Sequence, residues 1–111
     1  MANKQKLGIF VPTNKHIDHL IGIARAATKA GKTLCIFLTH EGVRISQHPR
    51  YQELAEIINS DEDNEISLCN VSWEALGLKD QSIPAGMTAK DLATQSRHCA
   101  MLDKCDRYMV I

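Results

Sequence analysis

No block of lysine and arginine interrupts this chain of 111 residues, and its thirteen basic side chains are cancelled by thirteen acidic ones. Nucleic acids and anionic membranes are met by basic patches, so neither is expected as a partner. Long apolar runs are missing as well. The opening MANKQKLGIFVPTNKH holds only Leu7 to Val11 before Pro12, short of a signal-peptide core and far short of the ~20 residues of a membrane span. A cytoplasmic protein is expected. The four cysteines, Cys35, Cys69, Cys99 and Cys105, form no CxxC pair, which removes zinc-ribbon and dithiol motifs and leaves each reduced thiol to be judged singly. There is no GxxxxGK[ST], and VPTNKH (Val11 to His16) contains no glycine at all. Phosphate-loop and dinucleotide binding both need glycines there, so both are excluded. Internal repeats and low-complexity segments are absent too.

What is present alternates between two kinds of segment. KLGIFVP (Lys6 to Pro12) is a short apolar run, and Ile17, Leu20, Ile21, Ala24 and Ala27 follow at helical spacing. Thr13 or Asn14 is placed to cap that helix and Gly31 to end it in a left-handed conformation. TLCIFLT (Thr33 to Thr39) has no polar alternation, as suits a strand covered on both faces. Pro49 stands at a first helical position, with Tyr51, Leu54, Ala55 and Ile58 on one face behind it. After the acidic connector SDEDNE come a third strand, EISLC (Glu65 to Cys69), and a short helix, NVSWEALG. KDQSIPAGM (Lys79 to Met87) is the longest loop. Thr88 and Asp91 then resemble a capping box for a last helix with Leu92, Ser96, Cys99 and Ala100 on one face, and RYMVI (Arg107 to Ile111) closes the chain as a strand. The alternation predicts one α/β domain over residues 1–111, a flavodoxin-like parallel sheet of four to five strands with helices on both faces.

Open parallel sheets bind ligands outside the carboxyl ends of their strands, where the strand order reverses. Under an order 2-1-3-4 that crevice lies between Pro12-Thr13-Asn14-Lys15-His16 and Cys69-Asn70. A receiver domain would carry an aspartate where Cys69 stands, and a cysteine phosphatase needs an arginine six residues on, where Ala75 stands. A thiol at the head of a helix remains. Amides and the helix dipole favour thiolate there, with Lys15 and His16 expected from the neighbouring strand, about 5 Å away. The alternative, Cys69 as a small apolar plug, stays open, and a CxxS redox pair with Ser72 is the weaker signal. Asn14, His16 and His40 are the candidate binding residues by topology, with the first strand expected between His40 and Cys69. Cys35 and Cys99 are expected in the core, and Cys105 too far from Cys69 for a disulfide. His16 and His19 are three apart without a third ligand, so no metal and no cofactor is expected.

Over nearly its whole length the chain resembles the DsrE/DsrF/TusD family of small sulfur-relay proteins. The resemblance is carried by KLGIFVP leading into an alanine-rich helix, by AGKTLCIFLTHEGV, by ISLCNVSWEALGL with its strand-end cysteine, and by the closing IPAGMTAKDLATQSRHCAMLDKCDRYMVI. It implies a sulfurtransferase-like carrier in which Cys69 accepts sulfane sulfur as a persulfide and hands it to a partner cysteine. It also implies sulfur donor and acceptor proteins as partners and a trimer or hexamer, homo- or hetero-oligomeric. The alternatives from other classes are a non-catalytic subunit or small-ligand-binding module in which Cys69 only packs, and a peroxide-reducing or disulfide-exchanging thiol.

Overall fold

The computed structural model describes residues 5–111. Five parallel strands form one sheet: β1 (Lys6–Val11), β2 (Thr33–Leu38), β3 (Glu65–Cys69), β4 (Leu92–Ala93) and β5 (Arg107–Val110). The helices are α1 (Ile17–Lys29), α2 (Tyr51–Asn59), α3 (Asn70–Ala75) and α4 (Gln95–Lys104). This is the α/β sheet with helices on both faces that the alternating pattern implies, but the strands lie in the order β4-β3-β2-β1-β5. The expected 2-1-3-4 order is therefore corrected: β2, not β1, is central. All six β2 residues are buried, and only a strand flanked on both sides and covered on both faces can hide every side chain.

The two faces are covered unequally. Ile9, Val11, Leu34, Ile36, Leu38, Ile66 and Leu68 point to one side, where Leu20, Ile21 and Ala24 of α1 and Leu54 and Ala55 of α2 complete the main core. On the other side Cys35, Phe37 and Cys69 meet Met101 of α4, with Phe10 and Cys105 at its margin. β1, β2 and β3 step across the sheet in one direction, and the return from β4 to β5 carries α4 over the second face. That arrangement is what right-handed crossovers require when the direction of travel reverses.

Several local expectations hold. Gly31 and Gly77 have φ of 80° and 76° and end α1 and α3 in the left-handed region that glycine enters without penalty. Others are revised. Neither Thr13 nor Asn14 caps α1; His16 holds the N-cap position without a side-chain bond, and Thr13 Oγ1 instead accepts from the Lys15 amide at 3.3 Å. α2 begins at Tyr51 behind Arg50, two residues beyond Pro49, because His40–Gln47 forms a 3₁₀ segment of its own that the spacing of apolar residues did not mark. The Thr88–Asp91 capping box exists, but on a 3₁₀ turn. The chain then pairs as β4 before Thr94 caps α4, so Leu92 is a strand residue. The acidic connector reaches into the fold, since buried Asn64 accepts from the Leu34 amide at 2.8 Å and donates to the Ile57 carbonyl at 3.2 Å.

Candidate functional site

Register places the site. Leu38 pairs with Leu68, so the next residues, Thr39 and Cys69, stand side by side at the carboxyl edge, and Cys69 pairs on its other flank with Ala93. Cys69 is also the N-cap residue of α3. No side-chain cap bond forms there, but the backbone N–H groups of Val71 and Ser72 and the hydroxyls of Ser72 and Thr39 are near enough to act on its sulfur electrostatically. Burial alone pushes the Cys69 thiol up, and these four donors outweigh it, so the net displacement is below the ordinary value of 9.0. The physical cause is that donors satisfy a thiolate and do little for a thiol.

Two hydrogen bonds from behind hold the hydroxyls in place. Ser72 Oγ accepts from the His40 amide at 2.9 Å, and Thr39 Oγ1 accepts from Gln95 Nε2 at 3.1 Å. His40 has a φ of 49°, the one non-glycine residue with positive φ among those described, and that turn aims its N–H at Ser72. Gly42 makes the turn possible. A Cβ there would lie 1.9 Å from the Val11 carbonyl oxygen, the same oxygen that accepts the Thr39 amide at 3.0 Å.

Of the residues singled out from sequence, His40 and Cys69 come to the same edge: His40 follows the end of β2, Cys69 ends the adjacent β3, and the His40 amide bonds Ser72 of α3. The expectation that β1 lies between them is overturned by the strand order. Asn14, Lys15 and His16 are exposed beyond the end of β1, which β2 separates from β3, so at about 4.8 Å per strand their segment is not the neighbour of Cys69. The point of strand reversal lies between β1 and β5, on the Asn14 side, and Cys69 is outside it. The thiol is also less open than expected: Cys69 is 4% exposed. Its wall is mixed, with Phe37 and Met101 on one side and the four donors on the other. The nearest surface is made by exposed His40 and by Val71, which is 67% exposed. A hollow of about 340 Å³ beside Ser72 is bounded by His40, Glu41, Ala75 and Leu76. Two other hollows lie away from the thiol, between α1 and α2 and at the amino edge near Leu7 and Arg107.

Three participants were not read from the sequence as a site: Thr39, Gln95 and the Cys35/Cys105 pair. Ser72 was singled out only as the second member of a CxxS redox pair. Cys105 lies over Gly8, where a Cβ would come 2.8 Å from its Sγ, and it packs against the cluster that holds Cys35. A glycine inside a strand marks such close approach, and Gly8 was the available clue. Cys99 is exposed, contrary to expectation; Met101 takes the buried position of α4. His98, to which no role was given, stacks on Phe10 at 4.2 Å and meets Tyr108 Oη at 2.7 Å. Among the described residues, no helix is long and apolar enough to cross a membrane.

The comparisons with known proteins agree with this architecture. The DsrE/DsrF-like family matches residues 6–111, and the chain belongs to that family. A solved structure, described as a conserved protein of unknown function, BT1422 from Bacteroides thetaiotaomicron, superposes with a TM-score of 0.75 at 20% sequence identity, covering 96% of this chain and 95% of the other. At that identity the likeness concerns the fold. No curated protein matches.

Proposed function

We propose that the protein is a sulfur carrier of the sulfurtransferase type, with Cys69 as the residue that holds sulfane sulfur as a persulfide between a donor protein and an acceptor protein. One observation carries the reading: a single sulfur at the carboxyl edge of the sheet stands at the N-cap position of α3, where nearby N–H groups and hydroxyls favour its anion. The Cys69 thiolate attacks the outer sulfur of a donor persulfide, a new S–S bond forms, and the donor leaves as a thiolate. In the second half an acceptor thiolate attacks the outer sulfur now on Cys69, and Cys69 departs as a thiolate. No external oxidant or reductant is consumed. The same donors serve both halves, since a stabilised thiolate is also the better leaving group. Family membership supports a relay role with protein partners, and assembly as a trimer or hexamer, with copies of itself or with sister subunits, belongs to the same proposal. So do a cytoplasmic setting and contributions from Asn14, His16 and His40 to binding, of which His40, bonded to Ser72, is the best placed.

A second reading has its own observation. The 4% exposure of Cys69 and its packing with Cys35, Phe37 and Met101 favour a non-catalytic subunit or small-ligand-binding module in which the thiol only packs. Incubation with a sulfane donor followed by intact-mass measurement separates the two. Gain of one sulfur atom, absent in Cys69→Ser, supports the carrier; an unmodified mass under conditions that modify a free thiol supports the packing role.

A further inference from the structure

Both hydroxyls against Cys69 are engaged from behind by an N–H donor. The His40 backbone donates to Ser72 Oγ, and the Gln95 side chain donates to Thr39 Oγ1. A hydroxyl carries one proton and two lone pairs, and an oxygen that already accepts a hydrogen bond donates more strongly through its own proton. Thr39 is 0% exposed, so its proton has no bulk water to turn to, and it stands beside Cys69 because Leu38 and Leu68, the residues before them, are paired across β2 and β3. The His40 link is made by backbone and survives most substitutions. The Gln95 link depends on a side chain, projected from the first residue of α4 across the carboxyl edge of the sheet.

We infer that Gln95 is a positioning residue for Cys69, acting through Thr39: its amide N–H occupies the Thr39 oxygen and aims the Thr39 proton at the sulfur. The inference rests on Cys69 being the reactive thiol of the proposed carrier, and it is independent of what the thiol carries. It also gives α4 a task on this face beyond covering Phe37, because the helix that closes the second layer delivers the group that orients the hydroxyl.

The test is the pH profile of iodoacetamide labelling at Cys69, followed on its own peptide by mass spectrometry in the intact chain. Gln95→Glu replaces the donor with an acceptor-only carboxylate that draws the Thr39 proton away. The labelling midpoint should rise by about one pH unit, roughly a tenfold loss of rate at neutral pH, with the plateau at high pH unchanged. In a Thr39→Val background there is no hydroxyl to turn, so Gln95→Glu should then move the midpoint by no more than about a third of a unit, the through-space effect of one exposed carboxylate. Thr39→Ser, which keeps the hydroxyl, should keep the full response and guards against a valine variant that does not fold. An unchanged midpoint in Gln95→Glu, or equal shifts with and without the hydroxyl, overturns the inference. Failure of the carrier reading shows elsewhere, as a missing sulfur adduct on a protein whose labelling profile responds as described.

Discussion

Cys35 and Cys69 lie on the same face of the same sheet, both buried, at 2% and 4% exposure, yet their thiols are driven in opposite directions. Burial pushes Cys35 up to about 12, with the Glu65 carboxylate adding to it, whereas Cys69 falls below the ordinary value. The difference is position along the strand. Cys35 sits toward the amino end of β2, where its amide and carbonyl are consumed by the ladder and its neighbours are Gly8 and the half-buried Cys105 thiol. Cys69 sits at the last residue of β3, where the chain turns into a helix and leaves unpaired N–H groups pointing back at it. Removal from water is common to both, so burial does not decide reactivity here; the supply of donors does.

The largest expected effect is on that contrast itself. In the native protein Cys35 should be labelled at least about a thousandfold more slowly than Cys69 at mildly alkaline pH, from thiolate population alone. Peptide-resolved labelling against pH measures it, and parallel profiles at the two sites would remove the contrast. Stability carries the same opposition. The raised Cys35 contributes stability that is present below 9.0 and lost as pH rises toward about 12, while the lowered Cys69 contributes stability that grows as pH rises toward 9.0. Urea midpoints of Cys35→Ala and Cys69→Ala across alkaline pH should therefore diverge from the parent in opposite senses.

The next effect sets the two ends of the sheet against each other through glycine. Gly42→Ala drives a Cβ into the Val11 carbonyl and should cost about 3 kcal/mol or more by denaturant titration. Gly8→Ala meets the Cys105 side chain, which can shift, and should cost about 1–2 kcal/mol. The reverse ranking would mean that the His40 turn is pliable. Ser72→Ala removes one donor to the sulfur and leaves the His40 amide without its acceptor. It should raise the Cys69 labelling midpoint by about one unit and destabilise the fold by about 1 kcal/mol, and an unmoved midpoint would assign the sulfur to the backbone donors alone.

The smallest effect is at the surface between α1 and α2. Hydrogen bonds from Arg50 and Arg25 hold Glu53 at about 2, a displacement that rivals the one at Cys35, on a half-buried carboxylate at the surface. Because its folded value is depressed, its contribution is present above 4.5 and lost as pH falls toward 2. Water and salt screen it. The acid limb of a thermal-stability profile should flatten only slightly in Glu53→Gln, and less still in high salt. A large change there would show that donors matter at the surface as much as they do against Cys69.

Much of this fold could be read along the chain because its signals are local. The unbroken apolar run of β2, the helical spacing of Leu20, Ile21 and Ala24, and the terminal glycines Gly31 and Gly77 each depend on a few adjacent residues. The position of Cys69 at a strand end and helix start was readable for the same reason. The partners from elsewhere were not. Thr39 lies 30 residues before Cys69 and Gln95 lies 26 residues after it, and β4, two residues long, is too short to carry a period. Assigning β1 as the neighbour of β3 brought Asn14 and His16 toward the thiol; the central placement of β2 brings His40 there instead.

By itself the sequence determined that β1, β2, β3 and β5 are strands, that four helices lie along the chain, and that one cysteine would stand at the head of a short helix, since backbone preference and side-chain period act over a few residues. Tertiary structure alone decided the order of the strands, and with it which hydroxyls meet the Cys69 sulfur. Pairing energies between parallel strands are much alike whatever their order, so the choice falls to how all the side chains pack at once on the two faces.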